Sequence, residues 1–517
     1  MSNHSQQGAS QTPSAKKSLL DYQNFYLFGI KGVAMTSLAQ CLLDAGKSVR
    51  GCDVAEDFVT QEILERKKIV VENFSQDFLH NQHSTTPDCL IYTASHQGID
   101  HPQVQQAIKA NIPIYSQAEA LAELFNQKEG VAICGVGGKS TISAMLVWVL
   151  KYLNIPISFS VGVGEIIGLK SSGEWNKQSR YFIAEADEYV IDPNAKKKGQ
   201  ELVPRFSFLK PSIVVCSNLS YDHPDVYPDF TTTKKTFKKF FLQIKKNGSL
   251  IINADNPDLV NIAQEVKKQR ADLKIINFSW NKTSQYWLSD WQVKHGLSLA
   301  TVQQQLSDQS AQTDQSTQTH QSTQAQLKLK VPGQFNLMNA LAAIAALFEL
   351  QIPLEQSCLA LSKFQSTKRR FELVHIQNQQ RFFDDYAHHP NELSEVIRTL
   401  NQYFPQDKKV IAFQPHTYSR TKAMFADFVE VLGSNLSSED QLIILDIFAS
   451  AREAIDDSVS SQQLVQAIQD KFPQANVLFL SNIEQLADYL NENNFDLCIT
   501  IGAGDIYKVY ESLPFDK

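Results

Sequence analysis

The stretch GVAICGVGGKSTISAMLVWVLKYL, residues 130–153, constrains the fold more than any other part of this chain. An unbroken apolar run meets Gly135, Gly137 and Gly138 within a few positions, and a hydrophobic segment at helical spacing follows. A strand apolar on both faces that turns at once into a helix is the unit of a parallel sheet covered by helices. Glycines let such a turn fold tightly and aim backbone N–H groups at an anion, and the helix N-terminus adds its partial positive charge. The standard phosphate-loop pattern asks for a further glycine where Ile133 stands. The segment therefore reads either as a variant phosphate loop or as a plain strand-to-helix turn. Its strand–loop–helix setting supports the first.

The same rhythm recurs on both sides. NFYLFGI, SVRGCD, DCLIYTAS and IPIYS read as strands before residue 126, with a helix over KGVAMTSLAQCLLDAG. RYFIAEA, PSIVVCSN, GSLIINA and LKIINFS read as strands of a second region, and QFNLMNALAAIAALFEL as a helix. RFFDDY, KKVIAFQ, QLIILDIF, ANVLFL and FDLCITIGAGD read as strands of a third, with helices over PNELSEVIRTLNQYF and IYKVYESL. A chain of 517 residues exceeds what one hydrophobic core organises. We expect a disordered tail over 1–20 and domains over 21–126, 127–365 and 366–517. Residues 300–326, rich in Gln, Ser and Thr, read as a flexible loop.

Composition narrows the function classes. A net charge of −7 with no basic stripe argues against nucleic acid. No apolar run reaches the roughly 18 residues of a membrane span, and the polar first twenty residues lack the apolar core of a signal peptide. Seven scattered cysteines, mostly inside apolar runs, suit buried reduced thiols in a cytoplasm.

The polar residues with chemistry in them fall at strand ends, where open α/β sheets bind ligands. Lys139 follows the glycines and would reach outer phosphates; Ser140, supported by Thr141, would offer a hydroxyl to Mg2+. Glu185, Asp187 and Glu188 end one strand; Asn218, Asp222, His223 and Asp225 follow another. Carboxylates there suit a hard cation. In the first domain Gly29 and Gly32 form a diphosphate-like turn, and Asp53 ends the next strand, where it accepts from a ribose or caps a surface turn. In the third, Arg369 and Arg370 suit bidentate grip on phosphate or carboxylate. Asp385, His388 and His389 follow one strand, His416 and Arg420 another; the paired histidines read as hydrogen-bonding groups.

In this order the motifs GVGGKST, EADE, DHPD, PGQFNLMNALAA, KRRFE and DDYAHHP resemble the Mur ligase family, from about residue 25 to 512. The resemblance implies three α/β domains: a Rossmann-like N-terminal domain, a central P-loop ATPase-type domain and a C-terminal Rossmann-like domain. It implies ATP and Mg2+ as cofactors, UDP-N-acetylmuramate as the activated acid, an acyl-phosphate intermediate and a role in cytoplasmic peptidoglycan precursor synthesis. By that likeness Lys139, Glu185, His223 and Arg370 are catalytic. Gly135, Val136, Gly137, Gly138, Lys139, Ser140, Thr141, Asn336, Asn339, Arg370 and Asp385 hold ATP. Gly29, Gly32, Asp53 and Ser95 hold the UDP-sugar, His388, His416 and Arg420 the amino acid, and Ser140, Glu185 and His223 the metal.

DDYAHHP together with QPHTYSRT and ASAREA most resembles the branch that adds L-alanine. We expect a monomer or a homodimer, between which the sequence does not choose. Val136, Gly137, Phe335 and Thr417 depart from the family pattern, as Lys31 does from a strict dinucleotide turn. A branch that attaches a preformed tripeptide and an inactive nucleotide-binding scaffold remain the alternatives.

Overall fold

The computed structural model describes residues 17–74, 86–223, 226–294, 296–305, 322–449 and 455–515. The tail over 1–16 and the segment 306–321 lie outside them, as does Asp225.

Three sheets follow one another along the chain. The first contains β1 (Asn24–Phe28), β2 (Ser48–Asp53), β3 (Val70–Asn73), β4 (Cys89–Tyr92) and β5 (Ile114–Ser116), in the order β3-β2-β1-β4-β5 and parallel throughout. Glycine-bearing turn 29–32 links β1 to the helix Val33–Asp44.

The second sheet has ten strands: β6 (Glu129–Cys134), β7 (Ile157–Ser160), β8 (Gly173–Glu174), β9 (Tyr181–Glu185), β10 (Ile213–Cys216), β11 (Ser249–Asn253), β12 (Lys274–Ser279), β13 (Tyr286–Lys294), β14 (Leu297–Gln305) and β15 (Ser322–Leu329). Their order is β15-β14-β13-β12-β11-β10-β6-β9-β7-β8. β6 lies between β10 and β9, parallel to both, so its C-terminal end opens between the ends of two neighbours. On one face the helices Lys139–Tyr152 and Gln334–Glu349 bury an Ala- and Leu-rich surface. The other face shares its apolar core with the first domain: Phe125, at the end of helix Gln117–Phe125, meets Phe182 edge-on at 5.7 Å. A polar seam adds to this contact. The Ser37 and Ser160 hydroxyls hydrogen-bond at 2.7 Å, and Gln40 Nε2 donates to Ser172 Oγ at 3.0 Å.

The third sheet contains β16 (Glu372–Gln377), β17 (Gln380–Asp385), β18 (Lys409–Phe413), β19 (Gln441–Leu445), β20 (Asn476–Leu480) and β21 (Leu497–Ile501), in the order β16-β17-β21-β18-β19-β20. Only β16 is antiparallel. Ser366, Arg369 and Phe371 carry positive φ of 96°, 62° and 45° in the segment leading into it. The Tyr403 and Ser298 hydroxyls hydrogen-bond, tying helix Pro390–Tyr403 to β14.

Two expectations need correction. Residues 300–305 and 322–326 of the expected flexible loop are strand, paired antiparallel with Gln305 opposite Ser322 and Gln303 opposite Gln324. Alternation, not overall polarity, decides here: Ala300, Val302, Leu327 and Leu329 point into the core, while Gln303 donates across to Gln324 at 2.9 Å. The expected tail over 1–20 also ends earlier, because Leu19 is fully buried in the core beneath the first sheet. The segment IYKVYESL forms a 3-10 helix, Ile506–Glu511. All seven cysteines are free and buried. Among the described residues no helix is long and apolar enough to cross a membrane.

Candidate functional site

A cavity of about 970 Å3 opens over the C-terminal end of β6 and is lined by all three domains. The glycine loop forms its floor. Gly135, Gly137 and Gly138 take φ of 113°, 81° and 80°, the left-handed region that side chains disfavour. Two of them are also closely packed. A Cβ on Gly135 would stand 2.6 Å from the Asn218 carbonyl, and one on Gly138 2.5 Å from Asn339 Oδ1. The Val136 N–H donates to that Asn218 carbonyl at 3.0 Å, and Ser217 Oγ to the Gly137 carbonyl at 2.5 Å. Asn336 donates to the Pro332 carbonyl at 2.6 Å and accepts from Asn339 at 3.3 Å, so both asparagines brace the loop from helix Gln334–Glu349.

Lys139 begins its helix and donates to both carboxylate oxygens of Glu188 at 2.9 Å. Burial pulls its ammonium down, but Glu188, Asp187 and Glu185 outweigh that and hold it charged well above the ordinary range. Ser140 Oγ donates to Glu185 Oε1 at 2.5 Å, and Glu185 Oε2 accepts from the Gly162 N–H at 2.5 Å. Thr141 and Val136 line the cavity beside them.

Asp187, Glu188 and His223 each offer one ligand atom, all within 4.8 Å of one another. Ser140 and Glu185, grouped with His223 from sequence, form a separate pair alongside. Burial would raise Asp187, but Arg205, Lys139 and His223 hold it at about 2. Arg205 Nη1 donates to Asp187 Oδ2 at 2.8 Å. Burial lowers His223, and its carboxylate neighbours Glu188, Asp222 and Asp187 raise it past its usual value. Its Nε2 lies 3.7 Å from Glu188 and 3.6 Å from Asp222, with φ of 59°.

The opposite wall comes from the third domain: Arg370, Asp385, His388 and Arg420. Arg370 lies over the Tyr386 ring, 5.2 Å from its centroid. Asp385 accepts from the N–H groups of Phe371 at 2.7 Å and Ala387 at 2.8 Å, yet burial lifts it to about 6 against the pull of Arg370. Burial lowers His388, which bonds through Nδ1 with the Tyr386 carbonyl at 3.0 Å. His416 stands behind it, ring centroids 5.9 Å apart, stacked on Phe448 and 3.4 Å from Arg420 Nη1. His389 caps helix Pro390–Tyr403.

The expectation for Arg369 is overturned. Its guanidinium is buried, donating to Asp384 at 2.9 Å and to the carbonyls of Gly504 and Gly502, so it holds the third sheet together and grips no ligand.

The first-domain residues divide. Gly32 and Ser95 line a second cavity of about 160 Å3, which Arg205 also borders. Gly29 turns beneath it at φ 79°, with Thr93 so close that a Cβ would stand 2.4 Å from its methyl group. Asp53 is buried, with its oxygens on the N–H groups of Lys31 at 2.7 Å and Val54 at 2.9 Å; it stabilises the turn from inside and is no surface cap. Lys31 donates to the carbonyls of Val54, Ala55 and Glu56.

Sequence reasoning missed Arg205, which follows a polar segment without any strand-end signal, and it missed the Lys139–Glu188 pairing. The chemistry of the cavity fits a polyphosphate and a hard cation. Its floor is a glycine cradle at a helix N-terminus with one cationic side chain, and two of the three clustered ligand atoms are carboxylate oxygens.

Comparison with known proteins agrees with this architecture. Residues 24–129 match the Mur ligase family catalytic domain, 133–347 the Mur ligase middle domain and 369–504 the Mur ligase glutamate ligase domain. The UDP-N-acetylmuramate–L-alanine ligase of Acetivibrio thermocellus is 31% identical over 511 residues, 97% of this chain and 98% of its own. That of Desulfitobacterium hafniense is 30% identical over 495 residues, covering 95% and 99%. Among solved structures, the UDP-N-acetylmuramate–alanine ligase of Thermotoga maritima superposes with a TM-score of 0.74 at 21% identity, over 95% of this chain and 98% of its own. A murein peptide ligase of Psychrobacter arcticus superposes with a TM-score of 0.64 at 20% identity, covering 95% and 98%.

Proposed function

This chain belongs to the Mur ligase family, and on that premise we propose that it is the ATP-dependent ligase that joins L-alanine to the lactyl carboxylate of UDP-N-acetylmuramate. One observation carries the reading: a single cavity brings Lys139 and the glycine loop face to face with Arg370, His388 and Arg420 of another domain. A carboxylate is a poor electrophile toward an amine, so it must first acquire a leaving group. Transfer of the terminal phosphoryl group of ATP to the lactyl carboxylate provides one, and the amine of alanine then displaces phosphate.

The residues act mainly by position and charge. The N–H groups of the glycine loop hold the phosphate chain. Lys139 neutralises charge at its far end, and Arg370 does so from the third domain. Asp187, Glu188 and His223 would hold Mg2+, which would supply further neutralisation of the phosphate charge. His388 and Arg420 face the same space and receive the carboxylate of the amino acid, with His416 setting the Arg420 guanidinium. Gly32, Ser95 and Arg205 accommodate the UDP-sugar at the smaller cavity. The reading implies a cytoplasmic enzyme of peptidoglycan precursor synthesis.

Incubation with UDP-N-acetylmuramate, ATP, Mg2+, a mixture of amino acids and a preformed tripeptide tests it. The expected product is the UDP-sugar heavier by one alanine residue, with ADP and phosphate released together. An unchanged UDP-sugar, or addition only of a supplied tripeptide, overturns the assignment.

A further inference from the structure

The lysine that the proposed chemistry needs at the phosphates is already engaged. Both oxygens of Glu188 accept from Lys139 Nζ at 2.9 Å, and the Glu188 side chain is 2% exposed. Lys139 reaches the cavity surface, whereas Glu188 lies beneath it. The Glu188 backbone is fixed too, because its carbonyl accepts from the Tyr227 hydroxyl. The carboxylate fixes Lys139 Nζ in place through two hydrogen bonds, but it also competes with any phosphate for the same ammonium. Glu188 has a second set of partners within reach: Asp187 and His223, whose ligand atoms and its own lie within 4.8 Å of one another, a spacing suited to a cation.

We propose that Glu188 is a positioning residue that holds Lys139 in place, then yields it to the nucleotide's terminal phosphates as its own carboxylate turns to a cation beside Asp187 and His223. The inference rests on the reading that loop 135–141 binds nucleotide phosphates. It makes cation binding and phosphate binding mutually reinforcing, because each removes the other's competitor. Without a cation, affinity is reduced by the fraction of Lys139 that stays with Glu188.

The test measures binding of the β,γ-imido analogue of ATP to the full chain by calorimetry, in EDTA and in Mg2+. In EDTA, Glu188→Gln is expected to bind the analogue about fivefold or more tightly than the unaltered protein, since the competitor is gone. In a Lys139→Met background the same change is expected to bring no gain. Mg2+ is expected to improve binding more for the unaltered protein than for Glu188→Gln. Equal affinity of Glu188→Gln and the unaltered protein in EDTA overturns the proposal. So does an equal gain without Lys139, which would reflect only the lost negative charge. Should Glu188→Gln fail to fold, Glu188→Asp keeps the charge, breaks the two-oxygen contact and must show a smaller gain in EDTA; no gain there overturns the proposal equally. If the unaltered protein does not bind the analogue even with Mg2+, the nucleotide reading fails instead.

Discussion

The side-chain oxygen of Asn339 stands 2.5 Å from where a Cβ on Gly138 would lie, whereas a Cβ on Gly137 would meet nothing within 4 Å. Both glycines have φ near 80°, so an alanine at either position carries the same left-handed penalty of roughly 1–2 kcal/mol. Only at Gly138 must the loop or the Asn339 side chain that braces it also give way. Gly138→Ala is expected to weaken binding of an ATP analogue by more than about tenfold, and Gly137→Ala by several-fold at most, because misplaced backbone N–H groups lose the phosphate. Calorimetric titration of both variants checks this. Equal losses would show that backbone strain alone governs the loop.

Lys139→Ala removes the cation assigned to the terminal phosphates. Turnover is expected to fall by about a hundredfold or more, the scale for deleting one preorganised partner of transition-state charge. Phosphate release in the presence of both substrates measures it. Ordinary turnover would remove Lys139 from the chemistry.

How much of this site is legible in the sequence depends on how local each feature is. The loop 135–141 is readable because strand, glycines and helix are contiguous, and each acts on its neighbours. Arg369 and Arg370 are not distinguishable that way. They are adjacent, and the φ of 62° at Arg369 is among the backbone features that set one guanidinium inward on Asp384 while the other faces the cavity. Glu188 and Arg205 meet partners 49 and 18 residues away in the chain, so only the folded sheet brings them together. The Gln-rich segment shows the opposite failure. Its composition is polar, but Ala300 and Val302 within it and Leu327 and Leu329 just after it alternate inward, and a strand needs only that alternation and a partner.

Asp385 gives a pH signature. Burial lifts it to about 6, and it accepts two backbone N–H bonds best as a carboxylate. Since its folded value exceeds its unfolded one, the folded state holds the proton longer, and Asp385 contributes less to stability as pH rises from about 4 to 6. Activity should run the other way, gaining as the carboxylate forms beside Arg370. The profile of kcat/KM is expected to show an acid limb near pH 6 that disappears in Asp385→Asn. An unchanged limb in that variant would assign it to another group, His388 first.

Arg205 borders both cavities and holds Asp187 at 2.8 Å, which ties the first-domain pocket to the Asp187–Glu188–His223 group. Its guanidinium is the largest of the neighbouring influences that offset burial and keep Asp187 at about 2. A carboxyl held below its unfolded value stabilises the fold at neutral pH, and that contribution fades as pH falls through roughly 4 to 2. Arg205→Met should therefore be less stable than the unaltered protein at pH 7, with the gap narrowing toward pH 3 in denaturant titrations. It should also raise the KM for the UDP-sugar by about tenfold, as loss of a charged hydrogen-bond donor to an anionic substrate would. Arg205→Lys, which keeps the charge but not the forked geometry, should fall between the two. A KM for the UDP-sugar that stays unchanged in Arg205→Met would confine this residue to holding Asp187.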